Sequence, residues 1–235
     1  MSEIILEARG LTKRFRSRSG AKKSFVAVDH ASLSLSAGET VGLLGESGSG
    51  KSTLGQMMTG LLRPDCGELY YRGEPLIYPF RGTARRQIQI LFQHPEVSFN
   101  PQLTLRRSLV EPFRLRRLPC DDSALLKCIG QFGLHEEHLN RTPGELSGGE
   151  LQRAALARIV VMEPQAILLD EPTSMLDVIT QAQIIHFLKQ YQQLHGTAYL
   201  FITHNMSLAQ QVCDRIVDIH DGHLTEHPNE SAKGV

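Results

Sequence analysis

No apolar run in this sequence approaches the roughly 18 residues that a membrane-crossing helix requires. Its polar start, Met1-Ser2-Glu3, is followed by only a few apolar residues and lacks the core of a secretory signal, so the chain is expected in the cytosol. There is no excess of charge of either sign. The 25 Lys and Arg residues offset the 25 Asp and Glu residues, leaving no overall field to draw the molecule onto nucleic acid or anionic lipid. Cys66, Cys120, Cys128 and Cys213 form no C-x-x-C pair, which argues against a zinc site or a disulfide framework and fits a reducing compartment. There is no internal repeat or low-complexity linker. The 235 residues suit one composite domain with an inserted subdomain.

The strand signals are short. Ile4 to Ala8 and the alternating stretch Ala31 to Ser36 read as half-buried strands, separated by a basic loop from Arg14 to Lys23. Thr40 to Leu44 is an apolar strand, and helical character follows from Ser52 to Leu62. Strand-like pieces around Gly67 and Gly73 predict a small antiparallel sheet, and Ile88 to Phe92 a buried strand. Between Leu103 and Arg141 the pattern is helical, with breaks predicted at Pro112, Pro119 and Pro143. Beyond Ser147, helices at Glu150 to Met162 and Val178 to Leu194 alternate with strands at Ala166 to Leu169 and Ala198 to Ile202, an alternation that builds a helix-covered parallel sheet. Within the second helix, Ile184, Ile185, Leu188, Tyr191 and Leu194 form a stripe expected to pack in the core. Asp221-Gly222 between Arg215 to His220 and His223 to Glu226 marks a two-residue hairpin, and the tail from Pro228 is polar.

Gly45-Glu46-Ser47-Gly48-Ser49-Gly50-Lys51-Ser52-Thr53 fits the pattern G-x-x-x-x-G-K-[ST] between a strand and a helix. Gly48 and Gly50 let backbone N–H groups face a triphosphate unobstructed, and the helix adds its positive end. Lys51 supplies a point charge, and Ser52 offers a hydroxyl to a magnesium ion. Ala166 to Leu169 leads into Asp170-Glu171, two carboxylates at the carboxyl edge of a strand, where ligands bind in such sheets. Two acids there also suit capping or solvation. Leu146-Ser147-Gly148-Gly149-Glu150 reads as a capping box, because Ser147 and Glu150 stand three apart, and equally as an anion site with exposed N–H groups at a positive helix end.

A chain with the glycine loop and Leu-Ser-Gly-Gly-Glu in this order resembles the ATP-binding subunits of ABC transporters. The resemblance implies an α/β P-loop NTPase fold: a RecA-like core with a parallel sheet, an antiparallel β subdomain and an inserted helical subdomain. It implies one ABC ATPase domain over 1–235, with the core at 1–93 and 150–235 and the helical signature subdomain at 94–149. Asp170 and Glu171 become the Walker B pair, Asp170 holding magnesium and Glu171 orienting the lytic water. Thr203-His204 resembles the switch histidine, and Gln93 the glutamine that senses magnesium and water, although His94 follows it where Asp is common. The implied catalytic set is Glu171, His204 and Gln93. Residues Gly45 to Thr53 bind ATP, and Ser52, Gln93 and Asp170 hold magnesium. Ser147, Gly148, Gly149, Glu150 and Asp177 meet the ATP of an opposing subunit, with Met175 replacing a commoner small residue. Phe15 best matches the aromatic that faces adenine, with Phe25 the runner-up.

The implied partners are membrane-spanning permease subunits, a second ABC ATPase that is identical or merely similar, and, indirectly, an extracytoplasmic substrate-binding protein. Nucleic acid is not expected. The implied location is peripheral, on the cytoplasmic face of the inner membrane. Phe99-Asn100-Pro101 and Leu109 to Pro112 resemble the segment after the Gln93 loop in the ATPases of peptide and nickel importers, a region expected to touch the coupling helix of a membrane-spanning partner. Tyr71 to Leu76 and Gly196 to His204 resemble nickel-import subunits, and the early stop after the hairpin departs from many peptide-import relatives. Nickel or a metal chelate is the first expectation and oligopeptide the alternative. Against them stands a soluble ABC ATPase acting on nucleic acid or ribosomes, disfavoured by the single cassette without coiled coil or basic surface. His220, His223 and His227 read as a solvated hairpin rather than a metal site.

Overall fold

Two neighbouring strands, Ala166–Asp170 and Ala198–Ile202, are buried at every position. Successive side chains on a strand point to opposite faces, so a continuous apolar run feeds two cores at once. Ala166, Leu168, Ala198, Leu200 and Ile202 join one core, while Ile167, Leu169, Tyr199 and Phe201 join the other. The structure is a computed structural model describing residues 3–16 and 24–227.

In chain order the strands are β1 (Ile4–Arg16), β2 (Ser24–Ser36), β3 (Thr40–Leu44), β4 (Cys66–Tyr71), β5 (Glu74–Pro75), β6 (Ile88–Leu91), β7 (Ala166–Asp170), β8 (Ala198–Ile202), β9 (Arg215–His220) and β10 (His223–Glu226). The helices are α1 (Lys51–Met58), α2 (Gly82–Gln87), α3 (Leu105–Arg116), α4 (Asp122–Gly130), α5 (Glu136–Leu139), α6 (Gly148–Val161), α7 (Val178–His195) and α8 (Met206–Val212). The larger sheet runs β10-β9-β3-β8-β7-β6, parallel except for β10. The smaller sheet, β2-β1-β4-β5, is antiparallel. Its inner face shares a core with α1 and one face of the large sheet; α3, α4, α6 and α7 cover the other face. This is the α/β P-loop architecture expected, with both added subdomains present.

Four expectations need correction. First, β1 and β2 are longer than their alternating stretches: Arg14 and Arg16 pair with Val26 and Ser24 instead of starting a loop. Register shifts around Gly10, at φ 59°, reset which side chains face inward, and alternation cannot be followed through such a bulge. Of the expected loop, 17–23 lie outside the described residues, as does the tail from Pro228.

Second, Pro112 does not break α3. Proline removes one backbone rung, but Pro112 lies on the buried face beside Leu109 and Phe113, and that burial offsets the loss. The helix ends at Arg117, in the left-handed region at φ 56°.

Third, Leu194 is 79% exposed and is not part of the core stripe. In that last turn of α7 the His195 ring lies against Tyr191, with centroids 4.2 Å apart, while Leu194 borders an open groove. Phe187, outside the stripe, instead packs on Phe132 at 4.4 Å between centroids.

Fourth, α6 begins at Gly148 rather than Glu150, so both glycines form its first turn. The helix therefore spans position 149/150 without interruption.

Candidate functional site

β3 ends at Leu44, and the chain turns through Gly45 to Gly50 into α1. Packing behind the loop requires its glycines. A Cβ on Gly50 would collide with the Ala27 carbonyl of β2, and one on Gly45 with the Ile219 carbonyl of β9. Both sit at positive φ, 152° for Gly45 and 112° for Gly50. The hairpin turn completes the clamp, because Gly222 N–H donates to the Ser49 carbonyl at 3.2 Å and Asp29 N–H to the Gly222 carbonyl at 2.9 Å. Asp221 and Gly222, at φ 49° and 81°, are the two left-handed residues that such a turn needs. Sequence reasoning missed Ala27 and Ile219, since no local pattern tells which backbone will meet a glycine.

Lys51 is nearly buried, and its Nζ donates to the carbonyls of Gly45 and Glu46 at 2.7 Å each. The loop thus wraps its own ammonium, fixing a positive charge at the helix start. The Ser49 hydroxyl oxygen is buried with no partner among the described residues.

Parallel pairing sets the ends of β6, β7 and β8 beside that of β3, and a cleft of about 370 Å³ opens there. Ser47, Gly48, Gly50, Lys51, Ser52, Thr53, Gln93, Asp170, Glu171 and His204 all line it. Gly45, Glu46 and Ser49 belong to the same loop but do not line the cleft.

Asp170 is buried at the end of β7. Burial pushes its carboxyl above the ordinary aspartate range, Glu171 next door adds to the rise, and the Ser52 hydroxyl bond together with Lys51 and His94 opposes it. Glu171 follows in the left-handed region at φ 49°, an arrangement disfavoured for a residue with a side chain. Its Oε1 lies 2.7 Å from His204 Nδ1. The Thr203 and Glu171 N–H groups donate to the carbonyls of Leu43 and Ile202, so neighbouring strand ends fix this pair.

Ser52, Asp170 and Gln93 offer only oxygen donors, and among the described residues no group of three or more His, Cys, Asp or Glu side chains gathers as a metal cage. A hard, largely hydrated cation with few protein ligands suits that set. His220 pairs with Asp221 at 3.4 Å, His223 with Asp29 at 3.7 Å, and His227 with Asp218.

Phe15 and Phe25 face each other across β1 and β2, with rings stacked 5.7 Å apart, and both line the cleft mouth. The two alternatives are therefore one aromatic platform, with Phe25 57% exposed.

None of Ser147, Gly148, Gly149, Glu150 or Asp177 lines this cleft. Ser147 caps α6 by accepting from Glu150 N–H at 3.3 Å, while Glu150 Oε2 accepts from Ser147 N–H at 2.8 Å. That backbone bond, with help from Ser147 and His138 side chains, holds the Glu150 carboxyl below its ordinary range. A Cβ on Gly148 would stand 3.1 Å from Met175 Sδ, and one on Gly149 3.1 Å from Leu176 Cδ2. Asp177 caps α7, accepting from the N–H groups of Ile179 and Thr180 at 3.0 Å.

A glycine loop joining a central parallel strand to a helix, with two carboxylates on the neighbouring strand end, defines a P-loop nucleotide-binding protein. Comparison with known proteins then narrows the class. Residues 28–174 match the model of the ABC transporter family. The oligopeptide transport ATP-binding protein AppF of Bacillus subtilis (strain 168) is 37% identical, covering 95% of this chain and 71% of that protein. The nickel import ATP-binding protein NikE of Escherichia coli (strain K12) is 42% identical, covering 85% of this chain and 76% of that protein. Among solved structures, the ATP-binding cassette MJ0796, a dimer in a post-hydrolysis state bound to ADP and Pi, superposes with a TM-score of 0.82 at 28% identity, over 94% of this chain and 98% of that one. The chain belongs to the ABC transporter family.

Proposed function

We propose that this chain is the ATP-hydrolysing subunit of an ABC importer, working as one of two facing cassettes beneath membrane-spanning subunits. The observation that supports this most is the division of its site. Lys51, Ser52, Gln93, Asp170, Glu171 and His204 converge in one cleft, while Ser147 to Glu150 and Asp177 lie outside its lining. A cleft so divided becomes whole when a second ATPase subunit brings its own Ser147 to Gly149 to the nucleotide.

In this reading Gly48 and Gly50 present N–H groups to the phosphates, and Lys51 meets the terminal phosphates with its fixed charge. Ser52, Gln93 and Asp170 would hold magnesium, which supplies charge neutralisation between the phosphates. Glu171 orients and polarises the attacking water, and His204 steadies Glu171 and reaches toward the terminal phosphate. Phe15 and Phe25 offer the adenine an apolar face. Residues 94–149 act as the helical signature subdomain that carries Ser147 across the seam. Closure is driven by the higher affinity of ATP for the paired form.

The permease contact is assigned to a cavity of about 400 Å³ between α1, α2, β6, α3 and α6, lined by Phe80, Arg85, Glu111, Leu115 and Arg158 among others. Phe99 is buried beneath the Arg158 guanidinium, 5.1 Å from its ring centre, so it shapes this wall from behind. Among the described residues no helix is long and apolar enough to cross a membrane. In this reading the membrane-spanning partners hold the chain at the cytoplasmic face of the membrane.

The cargo is nickel or a metal chelate on the strength of the higher identity to NikE. Oligopeptide is the second reading, favoured by the fuller coverage of this chain in the AppF match. Co-purification from native membranes should bring down membrane-spanning subunits, and vesicles holding the complex should take up labelled nickel in an ATP-dependent way. Uptake of labelled peptide instead would select the second reading. ATP turnover stimulated by DNA or ribosomes, without any membrane subunit, would overturn both.

A further inference from the structure

Gln152 lies on α6, five positions after Ser147, and is wholly buried. Its neighbours on the buried face, including Leu151, Ala154 and Ala155, are apolar. Its Nε2 donates to the main-chain carbonyl of Glu171 at 3.3 Å, while its Oε1 is enclosed with no partner among the described residues. Turning the amide over would set two acceptors against each other, so the carbonyl fixes its orientation. A thioether of similar length would fill the same space without an orphaned acceptor, so packing gives no reason for an amide here.

The bond reaches an unusual peptide. Glu171 is held at φ 49°, and its carbonyl also accepts from Ser174 N–H at 3.3 Å and the Ser174 hydroxyl at 3.1 Å. A disfavoured backbone conformation persists only when its surroundings over-determine it. The Ser174 donors come from the same turn, whereas Gln152 belongs to the helix that Ser147 caps and whose first turn holds Gly148 and Gly149.

We propose that Gln152 is a positioning residue, tying the signature helix to the backbone of Glu171 so that capture of nucleotide at Ser147 is felt by the carboxylate of the same chain's own cleft. The inference rests on the reading of Glu171 as the water-orienting group. Gln152 touches no substrate; it acts through the turn that aims Glu171.

The test uses the purified chain with Gln152→Met, Gln152→Glu and, in parallel, the unsubstituted parent and Glu171→Gln. Misaiming a reacting group lowers the chemical rate more than binding, so Gln152→Met should keep the parental ATP Kd and KM while kcat falls about ten-fold or more. A carboxyl at this position repels the Glu171 carbonyl when ionised and donates to it when protonated, and burial raises its pKa. The rate of Gln152→Glu relative to the parent should therefore climb as pH falls from about 8 to about 6, while the ratio for Gln152→Met stays flat. Parental kcat in Gln152→Met, or a flat ratio for Gln152→Glu, would overturn the proposal. Should Gln152→Met fail to fold, the pH profile of Gln152→Glu decides alone. Parental turnover in Glu171→Gln would instead remove the role of Glu171 itself, a failure distinct from that of Gln152.

Discussion

His204 Nδ1 and Glu171 Oε1 lie 2.7 Å apart at the ends of two adjacent parallel strands, β8 and β7. The imidazole is largely open to the cleft and the carboxylate largely covered, so the histidine is the exposed end of the pair. Such a pair can hold a water between a fixed acceptor and a phosphate.

Removing the acceptor tests this directly. Glu171→Gln keeps the side-chain shape and should retain ATP binding while turnover falls about a hundred-fold or more and closed dimers accumulate. Steady-state hydrolysis together with size-exclusion chromatography in ATP reads both; unchanged turnover would remove Glu171 from its role.

Lys51→Ala deletes the ammonium that the loop wraps at 2.7 Å from two carbonyls. A charge-assisted contact of this kind is worth about 1.5–3 kcal/mol, so nucleotide affinity should drop about ten- to a hundred-fold. Equilibrium titration with a fluorescent ATP analogue measures it, and parental affinity would refute the assignment.

Ser147→Arg places bulk and positive charge at a surface that does not line the chain's own cleft. ATP should still bind to the monomer with parental affinity, while cooperative hydrolysis disappears. Retained cooperativity would speak against a site shared between two chains.

Gly50→Ala would drive a Cβ into the Ala27 carbonyl at a φ of 112°. The expected loss is about 2 kcal/mol or more, with a lowered Tm and weakened nucleotide binding together. Thermal denaturation without ligand separates the two effects: a parental Tm would show that β2 does not brace the loop.

Glu150→Ala breaks the capping box, an expected loss of about 1 kcal/mol at neutral pH. Because the folded-state carboxyl titrates below its ordinary range, the native chain binds fewer protons there than the unfolded one. The contribution is therefore complete above the ordinary glutamate pKa and is lost as pH falls through the lower folded value. The Tm gap between Glu150→Ala and the parent should be constant near neutrality and close on acidification. A gap that ignores pH would show that the ionised carboxylate contributes nothing.

Much of this was legible in the linear order of residues. Glycine loop, Asp170-Glu171 and Thr203-His204 each announce a strand end, because a short apolar run followed by polar residues has few other uses in a helix-covered sheet. The hairpin at Asp221-Gly222 was equally plain, since two consecutive left-handed residues restrict the choice of side chain. Pro112 and Leu194 misled for one reason. Whether a proline can be carried inside a helix, or an apolar residue left outside a core, depends on what lies against that turn.

The sequence by itself marked out the residues proposed for phosphate and water chemistry and determined that they belong to an alternating α/β chain, because those features depend on local backbone geometry and side-chain type. Tertiary structure alone decided that Gly50 meets Ala27, that Phe15 and Phe25 form one platform, and that Gln152 reaches Glu171. Those contacts join segments far apart in the chain, and only strand register and helix packing fix which distant atoms come within a few ångströms.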